Sequence, residues 1–128
     1  MTDLAQSILI IEDEIPLAGI ISKKFAKKGI LTYVAKTTDE ALDVLRSNSS
    51  VSAIWLDHYL LGSKSGLDLI VELKSSQSKW RDIPVYVVSN TATDTKQKEY
   101  LELGAEKFYT KSNYQLKEIV EEVSKNIH

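Results

Sequence analysis

The sequence contains no cysteine and no long apolar run. Without cysteine, the chain can form neither a disulfide framework nor a thiolate metal site. No apolar stretch approaches the roughly 20 residues that a helix needs to cross a bilayer. Residues 1–6 also lack the basic and apolar regions of a signal peptide. We therefore expect a soluble, cytoplasmic protein with no membrane partner.

An excess of charge of one sign is missing as well. Sixteen basic and eighteen acidic residues give a formal net charge of −2, and the pI is about 5.7. This balance offers no basic footprint for a polyanion, which disfavours direct binding to nucleic acid. The 128 residues, 43% of them apolar, suffice for one packed core and are too few for two. We predict a single domain.

Five strand-like segments alternate with five helical patterns along the chain. Continuous apolar runs predict buried strands, and helical spacing of apolar residues predicts the segments between them. The predicted strands cover 7–11, 30–35, a run ending at 57, 85–88 and 106–110. Such alternation is typical of an α/β fold with a doubly wound, five-stranded parallel sheet and helices on both faces. We predict the flavodoxin-like strand order 2-1-3-4-5.

Two of the predicted helices differ sharply in apolar content. The fourth, 93–103, has almost no apolar residue before Tyr100, so we expect it to be the least firmly packed. The fifth carries an apolar stripe, and the spacing Ser112-Asn113-x-Gln115 predicts its cap. A Thr37-x-x-Glu40 capping box similarly predicts the start of the second helix.

Polar side chains follow four of the predicted strands where each strand ends. They are Glu12 and Asp13, then Asp57, Ser89 and Lys111. Parallel strands place these ends on one rim, and the order 2-1-3-4-5 brings strands one and three together at the crevice. Neighbouring carboxylates favour a cation between them, and an all-oxygen cluster suits octahedral Mg²⁺. A hydroxyl and a lysine beside that ion would suit a phosphoryl group.

This set of residues resembles the receiver domain of response regulators in two-component phosphorelay signalling. The resemblance covers nearly the whole chain, so we expect a receiver domain over 1–128 with no effector domain, either standing alone or excised from a larger protein. It implies that Asp57 is the phosphoacceptor, taking a phosphoryl group from a sensor histidine kinase or a phosphotransfer protein. It also implies Mg²⁺ ligation by Glu12, Asp13, Asp57 and the backbone carbonyl of Tyr59.

The resemblance implies roles for three more side chains. Lys111 pairs with the phosphoryl oxygens, and Ser89 donates a hydrogen bond to one of them and moves inward after phosphorylation. Phe108 then becomes the aromatic switch that occupies the vacated space, while Tyr109 points to the other side of the strand and packs in the core. The output is a changed protein-interaction surface, with phosphorylation-dependent dimerisation left open. The protein is predicted to be a regulator, not an enzyme, beyond catalysing its own phosphorylation and dephosphorylation.

The chain departs from the family pattern at three places. Ser112 stands where proline usually follows the lysine, so we expect a trans peptide bond between Lys111 and Ser112. Asn90 is bulkier than the small residue that is usual after the hydroxyl position. The loop after Tyr59 is one residue longer than the common form and lacks its proline. These changes bear on the lifetime of the acyl phosphate.

Two other functions are compatible with the fold. A degenerate receiver would act as a binding module that is never phosphorylated, but such a module has no need for the acids at the rim. A Mg²⁺-dependent phosphohydrolase of similar topology would carry its nucleophile in an Asp-x-Asp motif after the first strand, where this chain has Glu12-Asp13-Glu14. The phosphoacceptor switch is the interpretation that we carry forward.

Overall fold

A five-stranded parallel sheet forms the centre of the computed structural model, which describes residues 6–48, 50–57, 66–90, 93–112 and 114–127. The strands are β1 (Ser7–Ile11), β2 (Leu31–Ala35), β3 (Val51–Asp57), β4 (Val85–Ser89) and β5 (Lys107–Thr110). Their order is β2-β1-β3-β4-β5, and every neighbouring pair is parallel. The predicted fold class and strand order are confirmed, with β2 and β5 each beginning one residue later than predicted.

One helix follows each strand in the chain. The helices are α1 (Ile15–Ala26), α2 (Thr38–Ser47), α3 (Gly66–Leu73), α4 (Asp94–Glu102) and α5 (Leu116–Lys125). Within the described ranges, no helix combines the length and the apolar character that a bilayer crossing requires.

The core consists of two apolar clusters, one on each face of the sheet. Alternate residues of β1 point to opposite faces, so Leu9 packs in one cluster and Ile10 in the other. The first cluster includes side chains of α2, α3 and α4, and the second includes side chains of α1 and α5. Because β1 and β4 are covered on both faces, all five residues of each are buried.

Trp55 lies at the centre of the second cluster. Its side chain is fully buried and meets the ring of Phe25 edge to face, with ring centroids 5.8 Å apart. Tyr109 is buried in the same cluster, whereas the half-buried Phe108 packs against the first. The predicted alternation of Phe108 and Tyr109 is therefore confirmed.

The two helix caps that the sequence predicts have different outcomes. At α2, the Thr37 hydroxyl accepts a hydrogen bond from the Glu40 N–H at 3.1 Å, as predicted. At α5, the predicted cap is wrong: the helix begins three residues later, with Gln115 as its N-cap and Glu118 accepting from the Gln115 N–H at 2.9 Å. The sequence from Gln115 to Glu118 repeats the spacing of a capping box, and Ser112 lies instead in a turn.

Candidate functional site

The carboxyl ends of four strands bring the predicted site residues to one rim of the sheet. Ile11 pairs with Leu56, so Glu12 comes level with Asp57, the last residue of β3. Asp57 pairs with Val88, which places Ser89 one residue further along on β4. Register alone therefore sets the positions of these residues, as expected for parallel strands.

Three carboxylates form a cluster at the β1–β3 end of this rim. One oxygen from each of Glu12, Asp13 and Asp57 lies within 4.8 Å of the other two. Glu12 and Asp57 are 1% and 7% exposed, and Asp13 is half-buried. The cluster therefore holds concentrated negative charge with little water around it.

The pKa of Glu12 reflects the crowding of these carboxylates. Burial and the neighbouring charge of Asp57 raise the pKa of its carboxyl from 4.5 to about 7. The Glu14 N–H, which donates to Oε2 at 3.2 Å, and the Lys111 ammonium, 3.6 Å from Oε1, oppose this rise in pKa. Near neutral pH, Glu12 is poised between its charged and neutral forms.

The oxygen set fits a divalent cation. The buried Oε1 of Glu12 has no hydrogen-bond partner among the described residues, although burial makes such an atom costly to leave without one. A cation among the three carboxylates would supply that interaction and offset their repulsion. Oxygen ligands with room for water suit a hard ion such as Mg²⁺.

Ser89 and Lys111 complete the rim on the other side of Asp57. Ser89 is fully buried, and its carbonyl accepts a hydrogen bond from the Lys111 N–H at 2.8 Å, just beyond the Ser89–Thr110 register pair. Backbone pairing thus fixes Lys111, whose ammonium reaches back to Glu12. The bond between Lys111 and Ser112 is trans, as predicted.

Phe108 sits three residues before Lys111 and faces α4. Its ring lies 5.7 Å from that of Tyr100, centroid to centroid, and Tyr100 is the one buried residue of α4. A second contact joins the same elements, because the Gln97 amide donates to the Thr110 hydroxyl at 3.4 Å. Of the five helices in the described ranges, α4 buries the fewest residues, one against three or four, which agrees with the prediction that it packs least firmly.

The family follows from the comparison with known proteins. The sequence matches the family described as the response regulator receiver domain over residues 8–124. The chain belongs to this receiver domain family. The predicted resemblance is confirmed over nearly the whole length.

Individual relatives agree with this assignment. The receiver domain is 30% identical, over 108 residues, to the phosphate regulon transcriptional regulatory protein PhoB of Escherichia coli (strain K12). That match covers 84% of this chain and 46% of PhoB, so the chain spans about half the length of this curated relative.

Solved structures show the same fold. A response regulator receiver protein from Pseudomonas putida superimposes with a TM-score of 0.86, over 97% of this chain and 99% of the other, at 22% identity. The phosphorylated cyanobacterial phytochrome response regulator RcpA gives a TM-score of 0.83, over 95% of this chain and 93% of RcpA, at 25% identity.

Some predicted features of the receiver domain lie outside the described residues. Tyr59, whose carbonyl the family pattern makes a metal ligand, and the longer loop that follows it fall within 58–65. Asn90 is described, and its side chain is exposed.

The residues that hold α4 in place are not among the predicted site residues. Tyr100 is the first large apolar residue of a polar helix, and Gln97 belongs to the polar stretch before it. The isolation of one aromatic residue in a polar helix is the signal that could have identified Tyr100 as the anchor. Nothing in the sequence pairs Gln97 with Thr110.

Proposed function

We propose that this receiver domain is a phosphoacceptor switch in which Asp57 takes a phosphoryl group from a phosphohistidine. The observation that carries the proposal is the position of Asp57. Its carboxylate is nearly buried, shares a cluster with Glu12 and Asp13, and lies on the strand next to Ser89. The phosphorylated form of the relative RcpA supports the same chemistry here.

Mg²⁺ is the cofactor that this proposal requires. Glu12, Asp13 and Asp57 would hold the ion, together with the carbonyl of Tyr59 if this chain follows the family pattern. When bound, the ion supplies positive charge that lowers the repulsion between the Asp57 carboxylate and an incoming phosphoryl group.

Asp57 acts as the nucleophile. One of its carboxylate oxygens forms a bond to phosphorus as the phosphorus–nitrogen bond of the donor breaks, which leaves an acyl phosphate on Asp57 and a free histidine on the donor. Lys111, whose ammonium lies 3.6 Å from Glu12 Oε1, would pair with the phosphoryl oxygens. Ser89, which ends the strand beside β3, would donate a hydrogen bond to one of them.

Phosphorylation becomes a signal through β5 and α4. The new charge draws Ser89 toward the phosphoryl group, and Phe108 moves into the space that Ser89 leaves. Because Phe108 packs against Tyr100, its movement releases or re-seats the α4 anchor. The surface around α4 is therefore the one that changes between the two states.

The partners follow from this role. The donor is a sensor histidine kinase or a phosphotransfer protein, and the output is a protein that binds the altered surface in the cytoplasm. The receiver unit covers 1–128. PhoB is a transcriptional regulatory protein, but the net charge of −2 of this domain disfavours direct binding to nucleic acid.

Intact-mass spectrometry with acetyl phosphate and Mg²⁺ tests the proposal. The wild-type protein should gain one phosphoryl group, and Asp57→Asn should gain none. Asp39→Asn removes an exposed carboxylate at the start of α2 and should behave as wild type.

Two results would contradict the proposal. One is a wild-type protein that stays unmodified with both small-molecule and phosphohistidine donors. The other is an Asp57→Asn variant that is modified as readily as the wild type. The first result, combined with partner binding that Asp57→Asn leaves unchanged, would favour the non-phosphorylated binding module.

A further inference from the structure

The outer edge of β2 lacks the charged residues and prolines that usually keep sheet edges from pairing. β2 lies at the end of the sheet and pairs only with β1 among the described strands. Its five residues, LTYVA, contain neither a charge nor a proline. Charged residues and prolines are the usual protection of an edge strand against association. The β2 edge is therefore a place where another strand can add.

The hydrogen bonds of β2 show which backbone groups face outward. The Leu31 N–H donates to the Gln6 carbonyl and the Ala35 carbonyl accepts from the Glu12 N–H, both at 2.9 Å. Because backbone groups alternate in direction along a strand, Leu31, Tyr33 and Ala35 bond inward to β1. The N–H and C=O groups of Thr32 and Val34 consequently face away from the sheet.

The stretch of β2 with outward-facing backbone groups is short, and a hydrogen-bonded N–H group bounds it at each end. Before it, the Ile30 N–H is bonded to the Phe25 carbonyl at 3.1 Å. After it, the Lys36 N–H is bonded to the Glu40 carboxylate at 3.1 Å. Two large apolar side chains are exposed within it, Leu31 at 50% and Val34 at 40%. The edge thus offers two donors and two acceptors beside exposed apolar surface.

We propose that two copies of this chain pair antiparallel through β2, across a two-fold axis at Tyr33. In that register, Thr32 lies opposite Val34 of the partner subunit, and each of these pairs exchanges two hydrogen bonds. All outward groups of both strands are then used. Tyr33 faces its symmetry mate, and cross-strand aromatic pairs of this kind stabilise sheets. The result is one continuous ten-stranded sheet with an isologous interface.

The charges that flank β2 in the sequence favour this occupant and this direction. Lys27 and Lys28 precede the strand, whereas Asp39 and Glu40 follow it, with Lys36 between. Antiparallel pairing of two copies brings the basic end of each strand beside the predominantly acidic end of the other. Parallel pairing would place like charges together at both ends, which is unfavourable.

Single-cysteine variants test the register, because the natural chain contains no cysteine. Facing Cα atoms in a non-hydrogen-bonded antiparallel pair are about 4.5 Å apart, which lies within disulfide range. Tyr33→Cys should therefore form a disulfide-linked dimer under mild oxidation. Leu31→Cys is the matched control: it is more exposed, but its symmetry mate would lie roughly 13 Å away along the strands. Efficient cross-linking of Leu31→Cys but not Tyr33→Cys would overturn the proposal.

Sedimentation equilibrium tests the dimer without cross-linking. The wild-type protein should associate to a dimer between micromolar and millimolar concentration, with no phosphoryl donor and no Mg²⁺ present. Val34→Lys should weaken the dimer at least tenfold. Val71→Lys, the same change at an exposed valine of α3, should leave it unchanged. Circular dichroism of each variant shows whether it has folded.

A wild-type protein that stays monomeric throughout this range, or a dimer that Val34→Lys does not weaken, would overturn the proposal. Binding of an extended peptide from another protein to a monomeric chain, lost in Val34→Lys, would assign the edge to a different occupant and also overturn it. None of these measurements depends on Asp57, so failure of the phosphoacceptor proposal would be seen separately.

Discussion

The helices α4 and α5 flank the same strand and have nearly the same length, 9 and 10 residues, but they are held very differently. α5 buries Ile119, Val120 and Val123, whereas α4 buries only Tyr100. Packing of an apolar face supplies most of a helix's stability in a protein. Displacing α4 therefore costs less free energy than displacing α5. A signalling surface needs such an element beside a rigid support.

The two ends of β5 show a similar contrast. Lys107 at its start pairs with Glu122 of α5 on the surface, where both side chains are more than a third exposed. Lys111 beyond its end faces Glu12, whose side chain is 1% exposed. The surface pair is screened by water, whereas charge at the rim acts in a poorly solvated place. The charge interaction at the Lys107 end of β5 is therefore weaker than the one at the Lys111 end.

The largest effect is expected from removing the core contact of α5. Ile119→Ala should lower the free energy of unfolding by about 2 to 5 kcal/mol, because it leaves a cavity in the second cluster. Leu101→Ala, a matched change on the exposed side of α4, should change it by less than about 0.5 kcal/mol. Urea denaturation followed by circular dichroism measures both. A Leu101→Ala loss as large as that of Ile119→Ala would show that α4 is packed as firmly as α5.

Amide hydrogen exchange should separate the two helices without mutation. Amides of α4 should exchange about a hundredfold faster than those of α5 after correction for intrinsic rates, because α4 opens locally. Mass spectrometry of peptic fragments or NMR provides the rates. Equal protection of the two helices would show that α4 is held by more than its contacts to β5.

Mg²⁺ binding should depend on pH through Glu12, the carboxylate that faces Lys111. Because the pKa of Glu12 is raised to about 7, the ion must displace a proton below that pH, and its affinity should fall by up to about tenfold per pH unit. Calorimetric titration at several pH values on both sides of 7 measures this. Glu12→Gln should flatten the dependence, and an unchanged slope in that variant would assign the proton to another group.

The same shift in pKa predicts how stability varies with pH in the metal-free protein. Between pH 4.5 and about 7, the native state binds more protons at Glu12 than the unfolded state does. The free energy of unfolding should therefore decrease as pH rises through this window. Glu12→Gln should lack this contribution.

The smallest effect is expected at the exposed pair. Glu122→Gln should cost about 0.2 to 1 kcal/mol at low ionic strength and less in high salt, since surface ion pairs are screened. Lys107 lowers the pKa of Glu122, so the contribution should be lost as pH falls through that lowered pKa. Thermal denaturation at two salt concentrations measures it, and a salt-independent loss would indicate packing in place of charge.

Most of the fold could be predicted from sequence because apolar runs and helical stripes directly reflect burial. The runs at 7–11 and 85–88 lie in strands covered on both faces, and the acids and hydroxyl that follow them had to meet at one rim once the strands were parallel. The predicted cap of α5 was wrong because two overlapping segments, one beginning at Ser112 and one at Gln115, have the same spacing of capping residues. Local pattern could not choose between them.

The parts of the site that could not be predicted depend on distance between side chains. Strand order places Glu12 near Asp57, but neither the 3.6 Å approach of Lys111 nor the raised pKa of Glu12 follows from spacing along the chain. The attachment of α4 through Tyr100 and Gln97 likewise depends on how that helix lies against β5. These are tertiary contacts between residues far apart in the sequence.

The buried Trp55 gives the protein an intrinsic optical probe. Its indole is shielded from water on the strand that ends at Asp57, so its fluorescence emission should be blue-shifted and responsive to any rearrangement of that strand. The half-buried Trp80 is the second indole and supplies a separate background. In a Trp80→Phe variant, emission from one residue would report ion uptake and phosphoryl transfer in real time, without an attached dye.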